Sequence, residues 1–163
     1  MTTTASPIQA PWSGNAIWMP VAGSYLGLHE IAGAQDDPRI VEWLRLAGLP
    51  GQPDETAWCA AMVGGVLIEA GFRSTRRATA RSYLTYGVKL TKPRFGCIAV
   101  FKRGTNPAEG HVAFYIDTIG ASAFVYSGNQ GNKVGLKPYA LDDLIDWRWP
   151  ASTDFVDPVT KAA

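Results

Sequence analysis

The feature that most constrains this chain is a change of pattern at Pro93. Before it, apolar residues recur at helical spacing. After it come short β-rich runs separated by turn residues. The runs are Cys97 to Phe101, His111 to Ile116 and Ala123 to Tyr126, with two weaker ones near Val134 to Leu136 and Asp146 to Trp149. A gap as short as Asp117 to Ser122 permits a hairpin and excludes a helical crossover, so the sheet should be antiparallel. The helices must then come from the first half, and an α+β fold is expected.

Three helices are predicted. Asp36, Asp37 and Pro38 form an acidic, proline-marked start, Ile40, Val41, Leu44 and Ala47 an apolar face, and Gly48 a stop. A second helix should run from about Ala57 to Ala70, closed by Gly71 and capped by Asp54 or Thr56. It is apolar on most sides and should be buried. A shorter helix is expected from Thr79 to Tyr86.

At 163 residues the chain is one domain's worth, and 47% hydrophobic composition supplies a core without disulfides or structural metal. The domain is expected over 12–150, with flexible tails at 1–11 and 151–163. Fifteen Lys and Arg against fourteen Asp and Glu leave a net charge of +1, which excludes a broad phosphate-tracking surface and makes nucleic acid a poor partner. No apolar run approaches the roughly 18 residues of a membrane span, and Met1 to Ala10 has no basic and apolar leader pattern. Synthesis in the cytoplasm without membrane insertion is expected. Cys59 and Cys97 have no partners at metal-ligand spacing, so no metal and no disulfide scaffold is predicted.

Cys59 falls at the start of the buried helix, where free backbone N–H groups and the helix dipole favour a thiolate. The alternative is a small buried residue among alanines. His111 opens a strand after the turn Asn106 to Gly110, where a side chain is rigid yet reachable. A strand-end histidine bonded to a loop carbonyl would look the same in sequence. If the second and third runs pair as a hairpin, Asn129 in the turn Ser127 to Gly131 can reach His111 and fix its tautomer. By itself Asn129 reads as a turn residue. His29 beside Glu30 lacks any H-E-x-x-H context, and Arg73, Arg76, Arg77 and Arg81 read as a solvated basic face.

The segments Leu26 to Gly33, Asp54 to Ala61 with Trp58-Cys59-Ala60-Ala61 at its centre, Ala80 to Leu84, Gly96 to Phe101, Gly110-His111-Val112 and Gly128-Asn129-Gln130 occur in the order seen in the papain-like NlpC/CHAP superfamily. The chain resembles its small bacterial and phage cysteine peptidases and amidases over about Leu26 to Gln130. That resemblance implies a papain-like fold, with N-terminal helices packed on a small antiparallel sheet. It implies Cys59 as nucleophile, His111 as base and Asn129 as the orienting residue, with no cofactor. Among the neighbouring residues, Gln130 reads as a substrate contact, Trp58 as a cleft wall or a core residue, and Glu55 as a substrate contact or a helix-start charge. Cys97 departs from the pattern, standing where relatives have Asp.

The implied substrate is peptidoglycan, cut at an amide bond by a monomer. The implied setting is a phage or prophage endolysin released to the wall by a holin, and the alternatives are a secreted antibacterial amidase and a non-catalytic wall-binding or assembly protein.

Overall fold

A computed structural model describes residues 9–156. In chain order it contains α1 (Trp18–Gly23), α2 (Pro38–Leu46), α3 (Cys59–Glu69) and a 3-10 helix (Ala80–Thr85). The strands follow: β1 (Val88–Leu90), β2 (Ile98–Lys102), β3 (Gly110–Ile119), β4 (Ser122–Ser127), β5 (Gly135–Ala140) and β6 (Leu144–Trp149). They form one six-stranded sheet in the order β1-β6-β2-β3-β4-β5. Every pairing in it is antiparallel; short gaps require this for β2 through β5, while β6 returns to lie between β1 and β2.

α2 forms where the sequence marks it. Asp37 Oδ1 accepts from the backbone N–H groups of Arg39 (2.8 Å) and Ile40 (3.2 Å), and Pro38 takes the first helical position. α3 starts differently: its N-cap is Trp58, which offers no side-chain cap. The expected cap Asp54 is drawn elsewhere, since its Oδ2 accepts from Ile31 N (2.8 Å) and Asp37 N (2.7 Å) and fastens two loops together. Four short elements went unpredicted: α1, β1 and two three-residue 3-10 helices, Leu141–Asp143 and Ser152–Asp154. α1 is only six residues long, with a proline inside it, and β1 is three residues at the sheet edge.

α3 is buried from Cys59 to Leu67, and it packs on β3 and β4 on one side and on α1 and α2 on the other. Its two central glycines make this possible. A Cβ at Gly65 would lie 2.0 Å from Trp43 Cδ1, and one at Gly64 would lie 3.0 Å from the Tyr83 hydroxyl. The helix gives up about 0.5–1 kcal/mol of propensity per glycine so that the fully buried Trp43 can reach its axis. Trp18, Trp58 and Trp149 are likewise fully buried, and each indole N–H has an acceptor: Gly96 O, Glu30 Oε1 and Trp12 O.

The tail expected from Ala151 is ordered as far as it is described. Ala151 is buried and bridges Pro11, and Phe155 stacks on Trp12 with centroids 4.8 Å apart. Residues 1–8 and 157–163 of the expected tails lie outside the described residues. No described helix is long and apolar enough to cross a membrane.

The α2–α3 contact yields a paired prediction. Gly65→Ala should destabilise by about 2 kcal/mol through overpacking against Trp43. Gly23→Ala, with nothing within 4 Å of the added carbon, should be neutral or slightly stabilising. Chemical denaturation of both variants checks this, and equal effects would refute the packing account.

Candidate active site

Cys59 is the first residue of α3, and its sulfur lies against the beginning of β3. The backbone N–H groups of Val112, Ala60 and Cys59 itself all face it and favour the thiolate. Burial works against them and prevails, so the thiol sits above its ordinary pKa, with the Arg103 charge giving a smaller pull downward. The depressed thiol expected from the helix start is therefore not what the fold provides. A neutral thiol rests there.

His111 is the second residue of β3, directly across from Phe101 on β2. The glycine before it is required, because a Cβ at Gly110 would stand 2.7 Å from the Phe101 carbonyl oxygen. The ring is 1% exposed. It stacks on Tyr139 of β5 with centroids 4.6 Å apart and planes 7° from parallel. Tyr139 is also near enough to Cys59 that a thiolate there raises the phenol's pKa, so one aromatic ring adjoins both residues.

The partner of the imidazole is Gln130, not Asn129. His111 Nε2 lies 3.0 Å from Gln130 Oε1. The amide cannot be turned the other way: its Nε2 donates to the carbonyls of Val125 and Gly135, and a flip would set oxygen against oxygen. Gln130 Oε1 must accept, so His111 Nε2 carries the proton and Nδ1 carries the lone pair. That Nδ1 is buried and has no hydrogen-bond partner among the described residues.

The turn explains the exchange of roles. Asn129 has a φ of +57°, a left-handed conformation that asparagine tolerates better than most residues. The chain reverses there, sending Gln130 inward while Asn129 stays half-buried and lines the cleft that opens at Cys59. Gly128 just before it lies on Trp58, where a Cβ would come within 2.2 Å of the indole.

Trp58 itself is fully buried with its N–H on Glu30, so it supports the turn and has no face left for substrate. Glu55 is exposed beside Asp36 and Asp54 and does not line the Cys59 cleft. That cleft has a volume of about 400 Å³, and Arg103, which the sequence reading passed over, is part of its wall. The signal available for it was its place one residue beyond the strand that faces His111.

Cys97 is fully buried in the core, and burial pushes its thiol up to about 12. No imidazole is among the groups acting on it.

Burial pushes His111 down to about 4 from its ordinary 6.5, outweighing the bond to Gln130, while Arg103 and Lys137 add to the depression. An unfolded chain would take up this proton near pH 6.5 and the folded one only near 4. The stability that neutral His111 confers is thus complete above 6.5 and is lost as pH falls through that window. Wild type should lose on the order of 3 kcal/mol more than His111→Ala between pH 6.5 and 4. Urea titrations at both pH values measure it, and parallel losses in the two proteins would be the contrary result.

No family model matches the chain, and no curated protein is significantly similar to it. Solved structures are. An NLP/P60 family protein from Staphylococcus aureus, described as similar to lipoprotein, superposes with a TM-score of 0.53 at 17% identity, over 91% of this chain and 46% of that one. An NlpC/P60 family protein from Bacillus cereus gives 0.52 at 15% identity, over 83% and 40%. The endolysin LysIME-EF1 gives 0.48 at 12% identity, over 75% and 65%. The chain spans less than half the length of the two NlpC/P60 structures. At these identities the likeness is one of fold, and the fold is the papain-like α+β architecture of the NlpC/P60 proteins.

Proposed function

We propose that the chain is a cysteine hydrolase that cuts an amide bond of bacterial peptidoglycan through a thioacyl intermediate. The observation that carries this is the pinned imidazole. Gln130 fixes which nitrogen of His111 holds a proton, and the buried nitrogen left over is a base with nothing else to bind. The substrate class rests on the sequence resemblance, with which the NlpC/P60 fold agrees.

The chemistry follows from the resting protonation states. Cys59 and His111 are both neutral, so the thiol proton passes to Nδ1 as the sulfur attacks the carbonyl carbon. The N–H groups at the start of α3 are placed to receive charge developing on sulfur and on the carbonyl oxygen. When the tetrahedral intermediate collapses, the C–N bond breaks and the amine leaves with the proton from Nδ1. Water, deprotonated by the same nitrogen, then hydrolyses the thioester and restores the thiol. Gln130 supplies no charge to the imidazolium that forms. It holds the ring in one tautomer and one orientation, aided by the Tyr139 face.

Cys59→Ala should abolish solubilisation of purified sacculi while the domain stays folded. A folded variant that still degrades wall would sink the thiol mechanism. Gln130→Ala should lower kcat by about 10–100-fold, the range typical of lost orienting partners. The narrower reading of an endolysin is tested by the bond cut, which mass spectrometry of released fragments identifies, together with lysis on co-expression with a holin.

A further inference from the structure

We propose that Arg103 forms a carboxylate-binding subsite beside Cys59, through which the cleft selects anionic stem peptides. The inference deepens the peptidoglycan reading and rests on it.

Arg103 follows β2 directly, so the strand that pairs with His111 also fixes the start of its side chain. It is exposed and lines the same cleft as Cys59 and Asn129. Its charge acts on the three groups of the site at once, lowering the pKa values of Cys59, His111 and Tyr139. Tyr139, whose phenol the Arg103 charge also acts on, lies on the same side of the site.

No described carboxylate stands within ion-pair distance of Arg103. The one acid on the cleft wall, Glu109, accepts instead from Asn106 Nδ2 (3.3 Å), and its carbonyl accepts from Arg81 Nε (2.7 Å). Arg103 is thus a cation at the reaction centre with most of its planar donor fork unused, the geometry that receives a carboxylate by two parallel bonds.

The rest of the cleft fits the same ligand. Ala57, Ala78, Ala80, Ala108 and Gly110 make a wall of small residues, which leaves room for a peptide backbone and offers no competing charge. Asn129, whose carboxamide makes no hydrogen bond among the described residues, adds one neutral donor and acceptor next to Cys59. Peptidoglycan stem peptides carry free carboxylates close to their amide bonds. An amidated stem has the same shape without the charge.

The test compares a defined muropeptide bearing free stem carboxylates with its carboxamide counterpart. Calorimetry with Cys59→Ala protein reads binding without turnover. The expected result is about 10-fold or greater preference for the carboxylate form, the range of a charge-assisted pair. That preference should vanish in Cys59→Ala/Arg103→Ala and return in part with Cys59→Ala/Arg103→Lys. In the Cys59-containing enzyme, Arg103→Ala should raise KM for the carboxylate substrate several-fold more than KM for the amidated one, while any change in kcat, through the lost charge on Cys59 and His111, is shared by the two substrates.

Equal binding of the two forms, binding of neither, or a preference that survives loss of Arg103 overturns the subsite. Turnover of both forms alongside equal binding would do so while the hydrolase reading stands. Selective binding with no turnover of either muropeptide or of sacculi would do the reverse.

Discussion

Burial of α3 on all sides is the constraint that the site depends on. A helix enclosed by β3, β4, α1 and α2 can show a functional group to solvent only at an end, and its first residue is Cys59. The same enclosure demands glycine where Trp43 and Tyr83 press on the helix, and it places the sulfur against the start of β3. Packing therefore decides where the thiol sits. The helix end then contributes N–H groups, which lessen the cost of a buried sulfur anion without making the anion the resting state.

Two of the segments that meet at the site, the entry to α3 and the turn after β4, are joined by one stretch of chain, Leu28 to Glu30. Glu30 accepts from the Trp58 indole at the entry to α3, and its own N–H donates to Asn132 O beyond the Gln130 turn. Val134 N donates to Leu28 O, and His29 bridges Lys133. Asp54 ties the same neighbourhood to α2 by taking the N–H groups of Ile31 and Asp37. Trp58 completes the frame by lying beneath Gly128. Trp58, which looks like a substrate contact because it adjoins Cys59, is here a support of the surrounding geometry.

The architecture was legible because alternation of period 2 and short gaps are local properties, and both halves of the chain carried them without ambiguity. What escaped was set by distant partners. α1 has no side-chain cap and a proline within six residues, so only its packing on α3 makes it a helix. Asp54 reads as a cap until the loops that claim it are known. The choice between Asn129 and Gln130 turned on a single left-handed residue. Counting alternate residues onward from β4 fails once φ at 129 becomes positive, and no sequence period reports that. The thiol's resting state was misread for a related reason. A helix start is visible in sequence, whereas the depth to which it is buried is not.

Cys59 and Cys97 are both buried thiols in very different surroundings. Both thiols are buried, and burial raises both. Around Cys97 a small side chain fills a small buried space, with the Arg94 backbone and charge drawing its thiol down against burial. Stacked on Tyr139, the ring that adjoins Cys59, His111 keeps a buried nitrogen without a partner, a state that costs about 1–3 kcal/mol in an ordinary core. It also spends a buried glutamine on holding that nitrogen's tautomer. A protein selected for stability alone would fill the gap with a donor or an apolar side chain. On the proposed function, that unpartnered nitrogen is explained by a substrate that completes the arrangement when it enters the cleft.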